Sequence, residues 1–306
     1  MENNNQIQSL KEAIVRAIVF FDLFDYPLSP YEIWQYLDQG ASLLDVKNIL
    51  NNGLDGVESQ DGFYFLNSRS ETILERQKRY HFSAEKFRLA RRAAKLFKLV
   101  PFVEMIAVSN IIGSHNLRNG SDIDLFVVAS PRRLWLTRLF CAGLAKILGW
   151  RPTKDVKRNR ICLSFYASSA ALNLEGLKLS SEDLYFNYWL AGLVPVYDCN
   201  QTYVRLIKEN NWLKESLPNW QELKVNSNFK IKKQLRHFRV FSGFLNILEK
   251  NSMAWQLKIM PLGLKSLINI DTRVRVDDKI IKLYLVDRRR EFLDKFSSRL
   301  DQILNK

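Results

Sequence analysis

The chain has 306 residues, 47% hydrophobic and 25% charged, with a formal net charge of +14. That length predicts about two domains and that balance excludes a wholly disordered chain. Cys141, Cys162 and Cys199 lack CxxC spacing, and His81, His115 and His237 form no cluster, so zinc, disulfide and Ser-His-Asp chemistry are not indicated.

The charge is uneven: −7 over residues 1–68, +7 over 69–100, +4 over 101–220 and +10 over 221–306. An acidic head before a basic body suggests modules with different partners. The opening "MENNNQIQSL" carries no basic-then-apolar signal pattern. Residues 10–24 place Ile14, Ala17, Ile18 and Phe21 at helical spacing. In "SPYEIWQYL", Ser29 is a helix cap, Pro30 the first helical residue and Glu32 the third, a capping box. A third helix begins at Ser42 and stops at Gly53, and "VESQDGFYFL" reads as a hairpin turning at Asp61-Gly62. Three helices followed by a hairpin over residues 1–68 resemble a winged helix-turn-helix domain. The third helix of such a domain usually reads the DNA groove. Here it offers Asp45, Lys47, Asn48 and Asn51, a poor phosphate-neutralising set in a domain at −7. Protein contact or internal packing is the better expectation for this head.

Residues 69–100 are basic and helix-rich, ending before Pro101. They read either as a phosphate-facing helix or as a solvated helix joining two domains. "FVEMIAVSN" and "DIDLFVV" read as strands, "PRRLWLTRLFCAGLAKILGW" as a helix and "RICLSFYAS" as a third strand. The apolar run 134–150 is short for a membrane span and contains Arg138 and Lys146, so a helix packed on a sheet is expected, with no membrane partner. From residue 176 to 306 the pattern is mainly helical and basic. Arg288, Arg289 and Arg290 face either nucleic acid or their own neighbours Asp287, Glu291 and Asp294.

The chemistry-bearing stretch is "GSHNLRNGSDIDLFVV", residues 113–128. Side chains alternate along a strand, so Asp122 and Asp124 share one face while Ile123 and Leu125 face a core. Two such carboxylates repel unless a cation lies between them, and Mg²⁺ takes oxygen ligands while leaving positions for phosphate oxygens. The alternative is a solvent-facing strand edge with incidental acids. Gly113-Ser114, the spacer, and Ser121-Asp122-Ile123-Asp124-Leu125 resemble the nucleotidyltransferase superfamily that includes polymerase-β-like enzymes, over roughly residues 103–165. The resemblance implies that Asp122 and Asp124 bind Mg²⁺ or Mn²⁺, that Gly113, Ser114 and Ser121 meet a nucleoside triphosphate, and that a nucleoside monophosphate moves to an acceptor hydroxyl.

That family has a third carboxylate on a later strand, whereas here "RICLSFYAS" offers Cys162 and Ser164, or Ile161, Leu163 and Phe165. Asp155 and Glu104 are the substitutes at hand, and Arg118, Lys154, Lys157, Arg158 and Arg160 could neutralise phosphates. The expected fold is α+β: a winged-helix-like domain (1–68), a basic linker helix (69–100), a small mixed-sheet nucleotidyltransferase-like domain (101–175) and a helical basic region (176–306). The expected protein is a cytoplasmic nucleotidyltransferase acting on an RNA or protein hydroxyl, with nucleic acid meeting residues 69–100 and 221–306 and a protein partner for the head. The alternative is a catalytically silent nucleotide-binding regulator working through the head.

Overall fold

The computed structural model describes residues 2–110, 112–222 and 242–304, so part of the basic 221–306 stretch, and His237 with it, lies outside the described residues. The chain order is α1 (Glu2–Asp22), α2 (Pro30–Gln35), α3 (Leu43–Asn51), β1 (Val57–Gln60), β2 (Phe63–Leu66) and α4 (Glu71–Phe97). Then come β3 (Val103–Val108), β4 (Ile123–Ala129), α5 (Leu134–Ile147), β5 (Ile161–Ser168), α6 (Leu184–Ala191), β6 (Val194–Asp198), α7 (Thr202–Glu209) and α8 (Trp212–Ser216). After the undescribed stretch follow α9 (Ser242–Lys258), α10 (Leu262–Lys265), β7 (Val274–Val276), β8 (Ile280–Leu283) and α11 (Arg289–Leu304).

The local signals of the head are present in the fold. Ser29 Oγ accepts from the Glu32 amide, and the Glu32 carboxylate accepts from the Ser29 amide, closing the capping box. Ser42 caps α3, and Gly53 ends it at φ +81°. Asp61 and Gly62 both have positive φ, as a two-residue turn between right-twisted strands requires. Three helices and a hairpin therefore stand in the expected order.

One mixed sheet dominates the rest, in the order β6-β3-β4-β5-β8-β7. Only β4 and β5 run parallel, joined by α5 as the crossover; every other neighbouring pair is antiparallel. The α+β class is as expected, but residues 176–306 are not purely helical, because β6, β7 and β8 come from them. These strands are three to five residues long and lie between helices, too short for an alternating pattern to declare itself.

Alternation sorts the sheet's side chains into two cores. On one side Met105, Ala107, Phe126, Val128, Phe165 and Ala167 join the buried residues of α1, α6 and Phe296 of α11 in one continuous cluster. On the other, Ile106, Val108, Ile123, Leu125 and Val127 pack with Phe87, Ala90, Ala94 and Phe97 of α4 and with Trp135 and Cys141 of α5. The basic helix α4 therefore combines roles. Its apolar half lies under the sheet, and Arg76, Arg79, Ser83 and Lys86 are also buried. Lys78, Arg88, Arg92 and Lys95 remain exposed.

Candidate metal centre at the head of the central strand

Asp122 stands one residue before β4 and Asp124 is its second residue. Pleating puts both on the side of Phe126 and Val128, as the sequence predicts. The backbone is pinned from β3: the Ser109 amide donates to the Asp124 carbonyl at 3.0 Å, and Asn110 Nδ2 donates to the Asp122 carbonyl at 2.9 Å. On the other flank Asp124 pairs with Cys162, but Phe126 pairs with Phe165, so β5 carries one extra residue between those pairs. Such a bulge re-aims side chains. It brings the Cys162 thiol beside both acids and within 2.9 Å of Ser164 Oγ.

Among the described residues, Asp122, Asp124 and Cys162 form the one group of His, Cys, Asp or Glu side chains close enough to share an ion, their candidate ligand atoms all lying within 4.8 Å of one another. Burial first, and then the Asp122 charge, push the Asp124 carboxyl up to about 7. Burial also raises Asp122, against the pull of its own amide, Lys157 and Lys86. Cys162 is raised by burial and by the adjacent acids, so its thiol stays protonated. Two carboxylates raised in this way favour a cation beside them, which stabilises their charged forms.

The Gly113–Ser114 loop between β3 and β4 is tied to the head and to α4. Gly113 has φ +86°, and a Cβ there would lie 2.6 Å from the Tyr26 ring, so both backbone and space require glycine. The Tyr26 hydroxyl lies 2.8 Å from the Ser114 carbonyl and 2.7 Å from Glu32 Oε1, with one hydrogen to share between them. Ser83 Oγ donates to the His115 carbonyl, Arg79 to Asn116 Oδ1 at 2.7 Å, and Lys86 Nζ to the Ser121 carbonyl at 2.5 Å. No helix begins after Ser114 among the described residues; a pair of left-handed residues, Gly113 and His115, makes a tight loop instead. Ser121 Oγ donates locally to the Arg118 carbonyl. The aspartates are thus brought together, whereas Ser121 and the Ser114 carbonyl are engaged in holding the loop.

Neither substitute for a third carboxylate reaches the pair. Antiparallel register places Glu104 opposite the far end of β4, about 16 Å along the strand from Asp124, and it pairs with Arg205 at 3.1 Å. Asp155 is exposed in the 151–160 loop and outside the cluster. Of the cations named from sequence, Lys157 acts on Asp122, Arg118 faces Asp25 at 3.5 Å, and Arg160 donates to the Gly149 carbonyl. Arg288 pairs with Glu291, and Arg289 is buried between Asp183 and Asp287. Tyr185 and Tyr284 also lie in the electrostatic field of Asp124; burial first, and then that charge, raise Tyr185 to about 12. They come from α6 and from just past β8, and nothing in sequence spacing links them to residue 124. Lys86 is legible only as one basic residue of a basic helix.

Against protein-family models, curated proteins and solved structures, the chain matches none.

Proposed function

We propose that the protein is a divalent-metal-dependent nucleotidyltransferase, moving a nucleoside monophosphate from a nucleoside triphosphate to an acceptor hydroxyl. The observation that carries this reading is the Asp122–Asp124 pair, aimed to one side at the head of a central strand, with both carboxyls raised by burial and Asp124 raised further by the Asp122 charge. The resemblance of residues 113–128 to polymerase-β-like enzymes supplies the reaction class. Mg²⁺ or Mn²⁺ suits the two carboxylates; the soft sulfur of Cys162 is a poor ligand for such hard cations. Such an ion, when bound, supplies charge stabilisation to a transferring phosphoryl group. The chain's own part is to hold the two carboxylates in register, to set Lys157 and Lys86 beside Asp122, and to keep the Gly113–Ser114 loop fixed through Tyr26 and α4. The exposed stripe Lys78, Arg88, Arg92 and Lys95 is the surface we assign to an anionic acceptor such as RNA. The winged-helix-like head serves protein contact or packing: its α3 exposes Asp45, Lys47, Asn48 and Asn51, with no net charge for DNA.

A thiol, not a third carboxylate, beside Asp122 and Asp124 favours a second reading, a nucleotide-binding regulator without turnover. The test is incubation with each α-³²P-labelled nucleoside triphosphate, Mg²⁺ or Mn²⁺, and cellular RNA or protein extract, beside Asp122→Asn/Asp124→Asn. Label transfer lost in the variant supports the enzyme. Metal-dependent nucleotide binding without transfer, also lost in the variant, supports the regulator. Absence of both rejects the site.

A further inference from the structure

A second concave site lies on the opposite side of the sheet, where α5 and α9 meet the 149–160 loop. It is a cavity of about 560 Å³, within the range of small-molecule sites. Arg138, Lys146, Arg151 and Arg160 line it, no acidic residue does, and none of the four makes an ion pair among the described residues. Arg138 Nε and Arg151 Nη1 are buried without hydrogen-bond partners. The Tyr166 hydroxyl, likewise buried and unpartnered, lies within electrostatic reach of both guanidinium groups. Arg138 has one acceptor, Gln256 Oε1 at 2.5 Å. Buried donors left unpaired are costly, and like charges placed together add repulsion. An anion in the cavity would relieve the repulsion between Arg138 and Arg151.

Two further features describe the ligand. Trp255 lines the same cavity and is 52% exposed, a flat apolar ring beside the cations. Gly143 lines it from within helix α5, and a Cβ there would meet nothing within 4 Å. Glycine inside a helix is destabilising, and packing does not demand it here. Its effect is to leave room. We propose that this cavity binds a nucleoside polyphosphate, its phosphates on Arg138, Arg151 and Arg160 and its base stacked on Trp255. Arginine forks suit phosphate oxygens, and an aromatic face accepts any base. The site does not rest on the catalytic reading of Asp122 and Asp124. The 151–160 loop touches both places: Thr153, Val156 and Arg160 line this cavity, while the Asn159 amide donates to the Ser121 carbonyl and Lys157 acts on Asp122.

Calorimetric titration of the full chain carrying Asp122→Asn/Asp124→Asn, in EDTA, with ATP and separately with inorganic pyrophosphate, removes metal-dependent binding from the readout. Both probes are expected to bind, and Arg138→Gln or Arg151→Gln to weaken both by about tenfold or more. Trp255→Ala is expected to weaken ATP about tenfold and leave pyrophosphate unchanged. Gly143→Ala, which has space for its methyl group, should fold normally and weaken ATP by partly filling the cavity. No binding of either probe, or binding indifferent to both arginine variants, overturns the proposal. Pyrophosphate binding with ATP affinity unaffected by Trp255→Ala overturns the assignment to a nucleotide.

Discussion

Glu32 shows how much one side chain can be asked to do. It closes the capping box of α2, lies 2.7 Å from the Tyr26 hydroxyl, and takes both ends of the Arg76 fork at 2.8 and 3.0 Å. Burial raises its carboxyl, but Arg76, the Ser29 amide and Tyr26 together hold it below the ordinary value. Both members of the ion pair are less than a tenth exposed. Arg76→Met strands a buried carboxylate and should cost about 3–5 kcal/mol, read as a lower urea midpoint. Adding Glu32→Gln to it should cost less than the two single changes summed; strict additivity would show that the pair is not coupled. Asp287 makes the complementary case in pH. Burial pushes its carboxyl up, yet the Arg289 fork outweighs burial and holds it at about 2. Lys282, 3.7 Å away, is itself depressed to about 8, mainly by burial, so it is still charged between pH 4 and 2 and adds a smaller pull on Asp287 to that of Arg289. A depressed carboxyl adds stability that is complete above its unfolded value near 4 and is lost as pH falls through 2. The predicted loss is about 2 kcal/mol. Asp287→Asn should flatten the acid limb of stability between pH 4 and 2, measured by urea unfolding at each pH; an unchanged slope would show that another carboxyl sets it.

At the scale of an element, α4 separates charge by position. Arg76, Arg79, Ser83 and Lys86 recur at three- and four-residue steps, so they form one helical stripe. That stripe holds Pro27 and Phe24 of the head and His115, Asn116 and Ser121 of the aspartate-bearing loop by their backbone or amide oxygens. The outer stripe, Arg88, Arg92 and Lys95, is exposed and makes no such hydrogen bond among the described residues. Lys86→Met should therefore destabilise by about 1–3 kcal/mol, because the Ser121 carbonyl and Asn159 Oδ1 lose a donor. The triple change Arg88→Gln/Arg92→Gln/Lys95→Gln should move stability by about 0.5 kcal/mol or less, while lowering affinity for single-stranded RNA and flattening its salt dependence. Thermal melts and filter binding read the two effects separately. If the triple variant binds RNA as the wild type does, the outer stripe is not the acceptor surface.

At the scale of the molecule, what the sequence declared and what it hid divide along physical lines. Caps, the Asp61-Gly62 turn and the same-face aspartates are local, set by residues within a few positions of one another, and they are legible. The Gly113–Tyr26 contact, the bulge that turns Cys162 toward Asp124, and the three late strands depend on partners far along the chain, and no short-range pattern carries them. The same is true of how the head meets the sheet. Charge composition suggests separable modules, yet Phe20 of α1 packs 4.5 Å from Tyr188 of α6 and 6.0 Å from Phe296 of α11, in the cluster that also contains Phe126 and Phe165 of the sheet. Trp189 stacks on Phe165 at 5.4 Å, so its indole N–H resonance, assigned apart from those of the six other tryptophans, reports the sheet rather than the head. A core shared in this way should unfold in one step. Phe20→Ala leaves a cavity worth about 3–5 kcal/mol, and the whole of that loss should appear in the transition followed at Trp189 as well as in the helical signal. Two separated transitions, with Phe20→Ala moving only the one to which Trp189 is blind, would show that the head folds apart from the sheet. Coincident transitions that shift together would mean that the head and the sheet stand or fall on a single packed core.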